Sequence, residues 1–461
     1  MTTMRRLLVV AILSMAACGG STTETTIGSP QVTTALPDIT TTLPTQDVEI
    51  QTCTSPPVTF ATLCEVYDLL ETWYVDAPMD PGMLAELAIR GLDDFTTTTT
   101  EEPPRTLFCA IPDQAFTPLC DVIGERVLHE QIPVGAAVEA ALTHMIDAGL
   151  DPFTYYLPPE QVGALRLNGI VGGIGVLLDA RDAAGSRCTQ IISPCRLEII
   201  GVLEDNPGFA AGLAVADVIT EVDGLPVEGR GFASVVALIA GDETGTVVIT
   251  VDRGGQSIDF AIARAELAVP TVDVRLPTPN VGYIRIPDFE FDIPGLVSNG
   301  LDEIAGSGPS TIVVDLRDNP GGYIDAVVEV ADEFINGGIV MISDAPDEHL
   351  EYQANAGGLA INQRLVVLVN QGTASAAEIL AGALRDRRGA LVIGTDTFGK
   401  DAVQIAFTLR NGGEFHVAVA RWSTPGGDTA ADGGLSPDRQ VVWPAGATIE
   451  EIVEIALEAS S

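Results

Sequence analysis

The chain of 461 residues carries 23 lysine and arginine side chains, and a single one of them, Lys400, is a lysine. Arginine cannot replace it in proton transfer, because a guanidinium stays charged whereas a buried ammonium can lose its proton and act as a base. Lys400 lies in Thr397-Phe398-Gly399-Lys400-Asp401, twenty-five residues after Ser375 in Asn370-Gln371-Gly372-Thr373-Ala374-Ser375-Ala376-Ala377-Glu378. A serine hydroxyl that gives its proton to a neutral lysine becomes a nucleophile for acyl transfer. The amine must then fall well below its ordinary pKa of about 10.4, as burial in an apolar cleft achieves. Ser375-Ala376-Ala377-Glu378 also reads as a capping box, in which the serine only starts a helix. A helix start has a use here, because the Ala376 N–H would sit at a positive helix end where an oxyanion could form. Gln404 follows Lys400 by four residues. On a strand over 400–409 the two share one face and Asp401 takes the other. His129, His144, His349 and His416 fall in no G-x-S-x-G or H-E-x-x-H pattern, which leaves them surface or packing roles.

The elements that would hold these groups alternate from about residue 265 to the end. Thr311–Leu316 and Arg364–Val369 are short apolar runs of the kind found in buried parallel strands. Helices are predicted at about 323–335 and 375–386. Upstream, 168–264 reads as strands and turns, with a helix near 231–240 and a strand over Thr246–Asp252. Earlier still, two copies of a helical hairpin occupy 51–105 and 106–165. Cys53, Cys64 and the Gly91-Leu92-Asp93-Asp94-Phe95 end of the first copy recur as Cys109, Cys120 and Gly149-Leu150-Asp151-Pro152-Phe153.

Asp315-Leu316-Arg317-Asp318-Asn319-Pro320-Gly321-Gly322, the Ser375 segment and the Lys400–Gln404 segment, in that order, resemble the C-terminal processing peptidases, the tail-specific proteases of the S41 serine peptidase class. Ser423-Thr424-Pro425-Gly426-Gly427 and Gly434-Leu435-Ser436-Pro437-Asp438 match as well, and the resemblance spans roughly 110–445. It implies an α/β peptidase core over 265–461 with a Ser–Lys–Gln site at Ser375, Lys400 and Gln404. It also implies an oxyanion hole from Ala376 and a glycine of the turn, Gly321 or Gly322. Asp401 stands where the family usually has glycine. Asn206-Pro207-Gly208-Phe209-Ala210-Ala211-Gly212-Leu213 and Asp217-Val218-Ile219-Thr220-Glu221-Val222-Asp223-Gly224 resemble a PDZ domain over 168–264. Such domains add an extended peptide tail to a strand edge and hold its carboxylate in a backbone nest, here Gly173-Ile174-Gly175. The whole is a multidomain α+β chain: helical repeat, PDZ domain, peptidase core. The implied activity is a serine endopeptidase that reads protein C-termini; the alternative is an inactive PDZ scaffold.

The compartment follows from the first residues and the cysteines. Arg5 and Arg6, an apolar stretch over Leu7–Ala17 and Met15-Ala16-Ala17-Cys18 resemble a bacterial lipoprotein signal over 1–18, with Cys18 lipidated and anchored to a membrane. Residues 19–50, rich in Thr and Pro, read as a disordered tether. The remaining cysteines pair locally by spacing, Cys53–Cys64, Cys109–Cys120 and Cys188–Cys195, as expected outside the cytosol. No C-x2-C spacing and no phosphate loop occurs, so neither a metal nor another cofactor is called for. The net charge of −41 argues against nucleic acid as a partner.

Overall fold

A computed structural model describes residues 47–460, apart from 94, 96, 98–99, 160–161, 163–172, 183–190, 204–205, 241–244, 266–270, 432 and 445–446. The proposed signal, Cys18, most of the tether and Cys188 therefore lie outside the described residues.

Both N-terminal copies have one plan: a strand, a disulfide and two helices. The first comprises β1 (Asp47–Thr52), α1 (Val58–Trp73) and α2 (Pro81–Asp93). The second comprises β2 (Thr106–Ile111), α3 (Thr117–Glu130) and α4 (Val134–Gly149). Cys53–Cys64 and Cys109–Cys120 each tie a strand end to the following helix. The strands, absent from the sequence reading, pair in parallel and join the copies into one body. The repeated glycine has a packing reason. A Cβ on Gly91 would stand 2.6 Å from the His144 Cβ of α4, and one on Gly149 would stand 2.7 Å from a Leu87 methyl of α2. Both glycines let the second helices of the two copies cross closely.

After β3 (Tyr155–Leu157) comes an antiparallel unit of β4 (Val176–Arg181), β5 (Arg196–Val202), α5 (Pro207–Ala211), β6 (Val218–Val222), β7 (Leu225–Pro226), α6 (Phe232–Ala240), β8 (Thr246–Arg253) and β9 (Gln256–Ala263). Its sheet runs β4-β5-β6-β8-β9, which leaves β4 on an edge. Cys195 is in a disulfide.

The last part holds β10 (Asp273–Thr278), β11 (Val281–Arg285), α7 (Ile293–Ala305), β12 (Thr311–Asp315), α8 (Ile324–Asp332), β13 (Gly338–Ala345), β14 (Glu348–Ala354), β15 (Arg364–Val369), α9 (Ala376–Arg388), β16 (Leu391–Gly394), β17 (Ala402–Thr408), β18 (Glu414–Ser423), β19 (Arg439–Gln440) and α10 (Ile449–Ala459). One sheet runs β10-β11-β12-β15-β16-β19 and is parallel from β11 onward. Its central strands β12 and β15 are buried almost throughout, as their unbroken apolar runs require. A second, antiparallel sheet runs β14-β13-β18-β17, with β3 paired to β18. The core of the helical copies continues into this sheet through Ala402, Phe415, Val417 and Ala418.

The helical copies also touch the β4–β9 unit. A Cβ on Gly231, just before α6, would lie 1.8 Å from Oδ2 of Asp147 in α4. Burial pushes the Asp147 carboxyl from 3.8 up to about 7. The fold thus favours the neutral acid: this contribution to stability is whole below the unfolded value near 4 and is lost as pH rises through 7. Asp147→Asn, neutral at every pH, should gain stability over the parent as pH rises from 6 to 8.5, by about 2 °C in Tm. A gap that stays constant across this range in calorimetry would show that Asp147 does not ionise there.

Candidate active site

Three loops at the ends of parallel strands build the site. The first follows Asp315, the last residue of β12, and contains Leu316-Arg317-Asp318-Asn319-Pro320-Gly321-Gly322. Fully buried Asp315 is gripped by both arms of Arg317, at 2.8 and 2.6 Å, and by the Tyr283 hydroxyl at 2.7 Å. Burial raises the Asp315 carboxyl, but the Arg317 charge and hydrogen bonds outweigh it and hold the group below the ordinary carboxylate range. Asn319 donates to the Ile286 carbonyl and accepts from the Gly321 N–H at 2.8 Å. The second loop, 370–375, is bolted to the first. Asn370 accepts from the Asp318 N–H and donates to its carboxylate, Thr373 donates to the Leu316 carbonyl, and the Ala374 N–H donates to the Asn319 carbonyl.

Ser375 caps α9 with φ 53° and ψ −117°. This backbone region is sparsely populated for a residue with a side chain and costs about 1–3 kcal/mol. A neighbouring glycine makes room for it. A Cβ on Gly321, itself at φ 104°, would lie 2.8 Å from the Ser375 Cβ and 3.0 Å from the Ala376 nitrogen. As the first residue of α9, Ala376 has an N–H with no partner inside the helix. The Gly321 N–H is taken by Asn319 here, so it can serve an oxyanion only when Asn319 releases it; Gly322 follows directly.

The third loop carries Lys400. Glu378, fully buried in the first turn of α9, joins it to the nucleophile. One carboxylate oxygen accepts from the Ser375 N–H at 2.8 Å and the Lys400 N–H at 2.9 Å; the other accepts from the Gly399 N–H at 2.7 Å and the Thr397 hydroxyl at 2.5 Å. Sharing one oxygen holds the Ser375 and Lys400 backbone nitrogens within about 6 Å of each other. Burial pushes the Glu378 carboxyl up, and the four donors work against that rise. The capping-box pattern was the sequence signal for Glu378, but it showed only the bond to Ser375. Gly434 braces the same loop, because a Cβ there would lie 2.2 Å from the Thr397 carbonyl oxygen.

Lys400 and Asp401 precede β17, whose first paired residue is Ala402, so strand alternation does not start at 400 as the sequence reading assumed. They are fixed through Trp422 instead, whose ring N–H donates to the Lys400 carbonyl and whose backbone N–H donates to that of Asp401. Asp401, the departure from the family pattern, turns to Arg421 at 3.2 Å, which also binds Asp76 at 2.9 Å. Gln404 is half-buried, and its amide nitrogen donates to the Phe153 carbonyl just after α4. That leaves its oxygen as the acceptor available to an ammonium. Of the histidines, His349 is exposed beside Asp344, while His416 is packed under Tyr155 at a ring separation of 4.5 Å.

A second constellation lies at the β4 edge. Gly173 and Gly175 have φ of 89° and 72°. Among the described residues, no backbone bond takes the N–H groups of Ile174 and Gly175, whereas the Gly173, Ile174 and Gly175 carbonyls accept from Ala265, Gly208 and Leu203. The β4 edge sits over the nucleophile loop. A Cβ on Gly372 would stand 2.9 Å from a Leu177 methyl of β4 and 2.9 Å from the Asp318 Cα.

The comparisons with known proteins converge on this core. The model of Peptidase family S41 matches residues 280–441. A carboxyl-terminal-processing protease of Synechocystis sp. is 32% identical over 66% of this chain and 71% of its own length. A CtpA-like serine protease of Staphylococcus haemolyticus is 31% identical over 67% of this chain, which spans 61% of that protein. Among solved structures, a photosystem II D1 C-terminal processing protease superposes with a TM-score of 0.59 at 25% identity, covering 83% of this chain and 98% of the other. With the strand order, the buried Asp315–Arg317 pair and the Ser375–Glu378–Lys400 junction, these likenesses place the chain in peptidase family S41.

Proposed function

We propose that the chain is a serine endopeptidase that hydrolyses peptide bonds in extracytoplasmic proteins, with Ser375 as nucleophile, Lys400 as general base and Gln404 orienting the amine. The observation that carries this reading is the Glu378 carboxylate, one oxygen of which holds the Ser375 and Lys400 backbones together. In the reaction, the Lys400 amine takes the Ser375 proton as Oγ attacks the scissile carbonyl. The oxyanion is received by the Ala376 N–H and an N–H of the Gly321–Gly322 turn. The ammonium then protonates the leaving amine. Water, deprotonated in turn by Lys400, releases the acyl group from Ser375. The role of Gln404 rests on its fixed amide nitrogen, which turns the oxygen into an acceptor for the ammonium.

The unit over 168–264 is, in this reading, a PDZ domain. A substrate tail adds to the β4 edge and its carboxylate enters the Gly173–Ile174–Gly175 nest. Cys18 anchors the protein by lipid to a bacterial cell membrane. The seat of β4 on the nucleophile loop supports gating: a tail shifts that arrangement only by binding the displaced position better.

Incubating the mature protein with an unstructured protein tests the proposal. Cleavage should occur with the parent and vanish with Ser375→Ala; equal products from both would end the peptidase reading and leave the inactive scaffold. Lys400→Arg should abolish cleavage with the fold intact, because a guanidinium cannot take the proton. The parent rate should rise with pH as the amine becomes neutral, and a flat profile from pH 5 to 10 would count against the base role. Glu378→Gln replaces one carboxylate oxygen by an NH2 group that faces two of the four donors, so kcat should fall by about 100-fold with KM little changed. An equal rise in KM would place Glu378 in substrate binding instead. Amidating the substrate's C-terminus should slow cleavage, and deleting 168–264 should remove that dependence. Equal rates for amidated and free-acid substrates would show that the unit does not read the terminal carboxylate.

A further inference from the structure

Two aromatic rings stand stacked and exposed on segments joined to the turn that touches Ser375, and we propose that they form the subsite for an apolar substrate side chain within about three residues of the scissile bond. This rests on the peptidase reading above. Phe291 lies in the loop between β11 and α7, and Tyr323 caps α8. Their centroids are 4.0 Å apart with planes 19° from parallel. Phe291 is 69% exposed and Tyr323 45%, so most of this apolar area faces water.

The platform is fixed to the catalytic turn. Phe289 is fully buried, and its backbone accepts from the Tyr323 N–H at 2.9 Å and donates to the Gly321 carbonyl at 2.9 Å. An isolated parallel bridge joins Phe289 to Gly322. The segment under Phe291 and the turn under Tyr323 are therefore one piece. The same turn touches the nucleophile, since a Cβ on Gly321 would lie 2.8 Å from the Ser375 Cβ. Two trans-peptide steps of 3.8 Å separate Gly321 from Tyr323, which puts the Tyr323 Cα within about 12 Å of the Ser375 Cβ. An extended peptide advances about 3.4 Å per residue, so a side chain within about three positions of the cut reaches the rings.

Chemistry names the occupant. Stacked rings offer flat apolar area and, apart from the tyrosine hydroxyl, no hydrogen-bonding group, so they select by burial rather than by polarity. Leu296, 37% exposed in the first turns of α7, lies five residues after Phe291. Exposed Asp292 and Asp325 flank the two aromatic positions and disfavour an acidic side chain. Had the rings only stiffened the loop, their removal would slow all substrates alike. A subsite changes the ratio between substrates.

The test uses the mature protein and a peptide series in which Phe, Leu, Ser or Asp replaces each of the three residues on either side of the cleaved bond. At one position the parent should favour Phe or Leu over Ser by about tenfold in kcat/KM, the worth of one buried apolar side chain. Phe291→Ser and Tyr323→Ser should each bring that ratio towards one and leave the ratios at the other positions unchanged. Serine is itself a good helix cap, so the Tyr323 variant keeps the start of α8. No preference in the parent, or ratios that both variants leave untouched at every position, would overturn the subsite. If the parent cuts no peptide faster than Ser375→Ala does, the peptidase reading itself has failed.

Discussion

The site depends on one buried carboxyl group, that of Glu378. Taking a carboxylate out of water is expensive unless donors replace the water, and Glu378 receives four of them, two on each oxygen. Three are backbone N–H groups, which no side-chain change can remove. The two halves of the site lie on different strand connections, the Ser375 loop after β15 and the Lys400 loop after β16. A direct bond from the Phe398 N–H to the Thr373 carbonyl already joins the loops, and Glu378 adds a shared partner next to Ser375 and Lys400 themselves. The carboxylate needs donors from both loops to be satisfied, so the least costly arrangement of Glu378 is also the one that brings serine and lysine together. It also steadies Ser375 in a backbone conformation that the residue would otherwise leave.

The lysine side of the site is completed by the N-terminal repeat. The first copy supplies Asp76 to Arg421, and the Val75 N–H donates to the Ala418 carbonyl on β18. The second supplies the Phe153 carbonyl to the Gln404 amide and the Thr154 hydroxyl to the Ala418 N–H. Asp401 is accommodated within this scheme. Its charge is matched by Arg421, and the Arg421 charge is matched again by Asp76, so the acidic neighbour of Lys400 is spent on holding the first copy against β18. The duplication is thus built into the strand pair that carries Gln404 and directly follows Lys400.

The parts of this architecture that were legible in the sequence are those set by local pattern. The apolar runs of β12 and β15, the helix opened by Ser375 and the repeated Cys and Gly positions all follow from residue type and spacing, whereas an edge strand after Gly175 was implied only by the PDZ resemblance. What the sequence hid depends on distant partners. Glu378 looked like a helix cap because its bond to Ser375 is local, whereas its bonds to Thr397, Gly399 and Lys400 cross between loops. The strands β1 and β2 went unseen because each is short and stable only against the other copy. Alternation counted from Lys400 failed because the paired register with β18 starts at Ala402, opposite Arg421, a partner that local pattern does not reveal.

Strand β4 makes one observed contact and carries one proposed role, and the two bear on each other. Leu177, on that strand, fills the space above Gly372 and Asp318 in the nucleophile loops, and among the described residues the same strand is at an edge of its sheet, following Gly173 and Gly175. Glycine at 372 is required by this contact, since any side chain there would meet both Leu177 and the Asp318 backbone. A strand added along β4 must fit against whatever lies beside that edge. If the present seat leaves less room than a displaced one, tail binding favours displacement by the difference in affinity, and displacement in turn favours tail binding by the same factor. Under the proposed function, the closeness of Leu177 to Gly372 would couple occupancy of the β4 edge to the nucleophile loop through that one contact.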